Sequence, residues 1–184
     1  MTAPPGASLT RLAFVVGDAL RRAGIDAALT GGACATFHSA GAYTSLDIDF
    51  VIRSSPSNAE VDRAMASVGF TREGARYVHN ASTFFVEFVP GPLAVGNDAE
   101  VRPVRVTRGK ATILALSPTD SCRDRLAAFY HWRDRPSLHA AVEIAARHRV
   151  SLARIKAWSL QEDARAGFEE FTERLRARRR RKTR

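Results

Sequence analysis

The sequence is short of cysteine. Only Cys34 and Cys122 occur in 184 residues, with no metal-type spacing between them, so neither a disulfide framework nor a cysteine-built zinc fold is expected. No apolar run is long enough to cross a bilayer. The opening "MTAPPGASLT" lacks the basic and apolar regions of an export signal. These absences point to a cytoplasmic protein with reduced thiols and no membrane partner. A Gly-x-Ser-x-Gly elbow and a Walker P-loop are missing too, which disfavours a serine hydrolase and an ordinary kinase. What remains, 45% hydrophobic residues, suits a chain that buries a core.

Acidic residues are absent from 174–184, "RLRARRRRKTR", which holds eight basic ones. The whole chain has 28 Lys and Arg against 19 Asp and Glu; without this run, 28 − 8 leaves 20 basic residues and a net charge of +1. The body is therefore nearly neutral. The run repels itself and is expected to be a solvated tail or a contact for nucleic acid, since clustered arginine releases counterions from phosphates. Removing everything after Glu173 is expected to leave the melting temperature nearly unchanged.

Hydrophobic spacing gives the order of elements. "SLTRLAFVVGDALRRAG" places Leu9, Leu12, Val16 and Leu20 on one helical face, and Gly24 stops it. "IDAALT" reads as a short strand that Gly31-Gly32 turns into a helix from about Ala33 to Ala40. "SLDIDFVI" alternates as a strand. "SNAEVDRAMASVG" carries a capping box from Ser57 to Glu60. "ARYVH" and "STFFVEFV" are strand-like, and "VRPVRVT" and "ATILAL" flank a hairpin turn at Arg108-Gly109-Lys110. Ser117, Pro118 and Asp120 then open a helix. Helices continue beyond it, with a break near Arg133 to Pro136 and a last amphipathic, basic helix. The expected fold is α+β: a mixed sheet with helices packed on it over residues 1–116, a helical region over 117–173 and a basic tail over 174–184.

The strand "SLDIDFVI" puts Asp47 and Asp49 on one face, roughly 6.5–7 Å apart along the backbone. Two carboxylates that close repel unless a cation or protons neutralise them. Mg²⁺, which takes hard oxygen ligands, resolves the repulsion; a wet face on an edge strand is the alternative. In "STFFVEFVP" the only charge is Glu87. If that strand lies beside Asp47 and Asp49, Glu87 completes a cluster able to hold one or two Mg²⁺ for in-line phosphoryl transfer; otherwise it is a surface charge. Gly31 and Gly32 before a helix let a triphosphate approach backbone N–H groups. Arg76, Lys110 and Arg133 are candidate triphosphate contacts. Cys34 and His38, four apart on one helix, lack a second ligand pair for zinc.

Gly31-Gly32, His38, Thr44, Asp47-Ile48-Asp49 and Glu87 together make the sequence resemble the DNA polymerase beta-like nucleotidyltransferase superfamily. Within it the resemblance is to the small bacterial branch related to abortive-infection and toxin–antitoxin nucleotidyltransferases. "DRLAAFYHWRDR", with Arg125, Arg133 and Asp134, is similar to the helical segment that follows the sheet in that branch. The resemblance implies an enzyme that transfers an NMP from an NTP to a hydroxyl of RNA, protein or a small molecule. Asp47, Asp49 and Glu87 would be its catalytic and metal-binding residues and Gly31 and Gly32 its phosphate cradle; Arg76, Lys110 and Arg133 are the candidate nucleotide contacts read from the residues, with a plain surface charge as the alternative for each. The alternative is a non-catalytic protein of the same fold that binds nucleotide, RNA or a partner protein in a toxin–antitoxin module.

Overall fold

The structure is a computed structural model that describes residues 6–182. Residues 1–5 and residues 183 and 184 of the basic run lie outside the described residues. Among the described residues the chain forms seven strands and seven helices. One mixed sheet holds every strand, in the order β3-β4-β5-β2-β1-β7-β6. Its central members are β1 (Ala27–Thr30), β2 (Asp47–Ile52), β5 (Phe85–Val89) and β7 (Ala111–Ala115). β1 runs antiparallel to β2 and parallel to β7, and β2 runs parallel to β5.

α1 (Leu9–Arg22) starts at Ser8, whose side chain accepts from the Arg11 N–H. It crosses the sheet closely at Gly17, where a Cβ would press on Ile113 and Phe50. That contact identifies the face of the sheet that α1 covers, the one carrying Ile48 and Phe50. β1 is too short to reach Thr112 of its neighbour, and the Asp18 carboxylate of α1 accepts that N–H instead (3.2 Å). α2 (Gly31–His38) follows β1 without a connecting residue, so the helix includes the glycine pair instead of starting after it. α3 (Asn58–Ala66) has the expected capping box.

β3 (Thr71–Glu73) was not expected. All three of its residues are exposed, so no buried face announces the strand; pairing with β4 (Arg76–Val78) creates it. Leu46, expected on the apolar face of β2, lies just before the strand and is 75% exposed. The outer hairpin is β6 (Val104–Arg108) paired with β7.

After Ala115 the chain is helical. α4 (Pro118–Trp132) begins at the Ser117 cap and ends at Arg133 in the left-handed region (φ 52). α5 (Arg135–Arg147), α6 (Leu152–Gln161) and α7 (Arg165–Lys182) complete it. Arg123 of α4 is 1% exposed and pairs with Asp120 (2.8 Å) and Asp98 (2.6 Å), tying the segment between β5 and β6 to the helices.

The expected tail is the second half of α7, at least through Lys182. The arginine run conceals a docking stripe: Phe171 and Leu175 are buried at 0% and 2%, Arg178 donates Nε and Nη2 to Glu143 of α5, and Arg179 donates to the Ala145 carbonyl. Truncation after Glu173 therefore removes a buried leucine, worth about 2 kcal/mol. It also leaves Glu143, nearly buried, with Arg147 as its remaining ion-pair partner at 3.5 Å. The melting temperature is expected to fall by roughly 5–10 °C in a thermal scan. An unchanged value would mean that α7 does not dock.

Candidate active site

The parallel pairing of β2 with β5 builds the site. Its register sets Asp47 opposite Phe85 and Asp49 opposite Glu87. Paired residues in a ladder share a face, so Asp47, Asp49 and Glu87 project together, away from Ile48, Phe50 and Val86. The latter three are fully buried while the carboxylate residues remain half-buried. Alternation thus gives one strand pair a dry face toward α1 and an acidic face on the opposite side.

The glycine pair meets the carboxylates at the end of β1. Thr30 pairs with Asp49 across the β1–β2 ladder. Gly31 follows at φ +60, and a Cβ there would collide with the Asp49 carboxylate; a Cβ on Gly32 would collide with Ser45. Both positions need the missing side chain. The Thr30 side chain makes no cap bond, leaving the first-turn N–H groups of α2 without side-chain capping there.

Ser45 joins the two halves. Its hydroxyl donates to Asp47 Oδ1, and its N–H donates to Thr36 Oγ1 (3.1 Å). Thr36 in turn donates to the Gly32 carbonyl (3.0 Å). This chain of bonds fixes the Asp47 carboxylate relative to the first turn of α2. Sequence reading passed over Ser45, whose only signal is its position two residues before Asp47.

α4 supplies the charges on the helical side. Arg125 donates from Nε and Nη2 to Asp124 Oδ2 (2.9 and 2.8 Å) and reaches Ser137 of α5 (3.4 Å). Burial opposes its charge, but Asp124 and the Tyr43 hydroxyl hold it protonated. Asp49 is pushed up to about 7, first by burial and then by the charges of Asp47 and Glu87; Arg125 pulls the other way and Asp124 adds to the rise. Asp49 therefore feels the other four charges at once. Asp124 opens the segment "DRLAAFYHWRDR" but was not singled out, and Tyr43 carried no motif.

The donor set suits a hard divalent cation: carboxylate oxygens on one face, crowded enough to raise one of them. Among the described residues, however, no three His, Cys, Asp or Glu groups are arranged as a metal site. Ser45 holds Asp47 by one oxygen. A cation shared by all three carboxylates thus requires a side-chain adjustment.

Arg76 joins the site. It pairs with Glu87 in the β4–β5 ladder, on the same face, and its guanidinium lies 5.2 Å from the centre of the Phe85 ring. Lys110 does not. It precedes β7, which runs parallel to β1, so it stands at the end of the sheet opposite Gly31, roughly 20 Å away along the strand. Arg133 is also removed. It follows Arg125 by eight residues, about 12 Å of helix, and lines a cleft with Tyr130, Glu162 and Gly167 that contains no carboxylate of the cluster. Cys34 and His38 both turn to the Leu116 carbonyl, at 3.8 and 2.9 Å. Burial pushes the thiol up to about 12 and the imidazole down to about 4, so this pair fastens α2 to the start of α4.

No protein-family model matches the chain, and no curated protein matches it. Solved structures do. An antigenic nucleotidyltransferase-like protein from Paracoccidioides brasiliensis superposes with a TM-score of 0.54 at 13% identity, over 90% of this chain and 94% of that one. The solution structure of the antibiotic-resistance factor ANT(2'')-Ia superposes with a TM-score of 0.50 at 12% identity, over 94% of this chain and 97% of that one. At these identities the likeness carries the fold alone: the chain has a nucleotidyltransferase-like α+β fold.

Proposed function

We propose that the protein transfers an NMP from an NTP to an acceptor hydroxyl, releasing pyrophosphate. The observation that carries this reading is the β2–β5 register, which sets Glu87 beside Asp49 at the glycine end of the sheet. Asp47, Asp49 and Glu87 would hold Mg²⁺. When bound, Mg²⁺ would offset the triphosphate charge and stabilise the entering and leaving oxygens. Gly31 and Gly32 would admit the phosphates to the first-turn N–H groups of α2. Arg125 and Arg76 would balance the negative charge on the leaving pyrophosphate. Glu87 would accept the proton of the attacking hydroxyl as its oxygen bonds to the α-phosphorus and the bond to the bridging oxygen breaks. The nucleotidyltransferase-like neighbours support the class of reaction without naming an acceptor.

A second reading rests on the unconverged carboxylates: a protein of this fold that binds nucleotide, RNA or a toxin–antitoxin partner without turnover. Incubation with each α-labelled NTP, Mg²⁺, total RNA and cell lysate separates the two. Transfer of label to one fraction, lost in Asp47→Asn, supports the enzyme. NTP binding with no labelled fraction favours the binding protein.

Ser45 gives a further expectation. If its hydroxyl positions Asp47, Ser45→Ala weakens Mg²⁺ binding about tenfold, in the range of outer-shell effects on metal sites. The same change in an Asp47→Asn background has no further effect. A calorimetric titration that shows tighter Mg²⁺ binding in Ser45→Ala would instead mean that Ser45 holds Asp47 out of the cluster.

A further inference from the structure

We infer that the last two turns of α7 are a docking surface for the phosphate backbone of RNA. The arginines of this helix divide into two sets. Arg174 pairs with Glu170 at 3.0 Å, Arg178 with Glu143, and Arg179 with the Ala145 carbonyl at 3.0 Å. These three hold the helix in place along with Phe171 and Leu175. Arg176, Arg180 and Arg181 are exposed and make no ion pair among the described residues.

Arg176 and Arg180 stand four apart, so they face the same side of the helix, where like charges repel. Arg181 stands on the other flank of the helix, with Arg178, which shares the single carboxylate of Glu143 with Arg147. The surface therefore has an excess of positive charge that nothing in the described fold neutralises. A rigid helix presents these charges at fixed spacing, with less ordering entropy to lose on binding than a disordered tail would have.

The chemistry selects the partner. Arginine, which supplies every charge at 174–181, offers a planar fork that matches phosphate oxygens bidentately. A membrane surface fits poorly: the apolar residues of α7, Phe168, Phe171 and Leu175, pack inward, leaving no apolar face to enter a bilayer. RNA carries a ribose hydroxyl at every nucleotide and so also fits an acceptor-hydroxyl reaction; this last clause rests on the proposed function, whereas the docking surface does not.

The test is binding of a fluorescent single-stranded RNA oligonucleotide to the full chain, followed by anisotropy over a range of salt. Arg176→Gln/Arg180→Gln/Arg181→Gln removes three charges but keeps the buried stripe and the Glu143 pair. Its affinity is expected to fall about tenfold or more, with the salt slope shallower by about 2 and the melting temperature unchanged. RNA binding equal to that of the unsubstituted protein would overturn the proposal. So would displacement of RNA by poly-glutamate at equal charge, which would assign the surface to an acidic protein. Asp47→Asn should bind RNA normally while losing transfer, so failure of the catalytic reading and failure of the docking surface give different results.

Discussion

Asp49→Asn is expected to lower nucleotidyl transfer by at least about a thousandfold, the scale on which removal of a principal electrostatic group acts, while making the metal-free protein more stable. The two effects have one cause. Asp49 is driven up to about 7 by burial, reinforced by Asp47 and Glu87, against 3.8 as its reference value. Because the folded value is raised, the stabilisation from protonated Asp49 is full below about 3.8 and is lost as pH rises through about 7. Metal-free protein should therefore lose stability between pH 4 and 8, and Asp49→Asn, which cannot ionise, should lack that component. At about 1.4 kcal/mol per pKa unit, over the roughly three units between 3.8 and 7, the difference at pH 8 should reach roughly 8–16 °C. Thermal scans at several pH values in EDTA measure it. Parallel pH profiles for the two proteins would mean that Asp49 is not crowded.

Glu87→Gln is expected to keep NTP binding and lose about a hundredfold or more in turnover. The substitution preserves the shape of the side chain beside Asp49 and removes its ability to accept a proton. The loss should fall on kcat, with KM for the NTP changed little, because Gly31, Gly32, Arg125 and Arg76 are left in place. Steady-state kinetics separates these terms. A rise in KM at unchanged kcat would place Glu87 in nucleotide binding and leave the attacking hydroxyl to another base, with Asp124 next to be tested.

The acidic face was legible because it depends on the shortest period in protein structure. Alternation alone placed Asp47 and Asp49 together, and the isolation of Glu87 among phenylalanines and valines marked its strand. Partnership between those strands was an assumption until the β2–β5 register supplied it. Lys110 and Arg133 failed for the complementary reason: strand direction and helix length decide how far a cation stands from the site, and local pattern contains neither. β3 has no buried residue to reveal it. In α7 the arginines dominated the composition, and the helical stripe of Phe171 and Leu175 was outweighed. Ser45 became visible only when Gly32 and Asp47 were seen on either side of it.

Calorimetric titration of NTP into the unsubstituted chain and into Asp47→Asn, each with Mg²⁺ or with EDTA, asks whether the carboxylates of β2 hold the nucleotide through a metal. NTP binding is expected to require Mg²⁺ and to be lost in Asp47→Asn. Equal NTP binding in EDTA and in Asp47→Asn would contradict it, because the carboxylates of β2 would then have no part in holding the nucleotide.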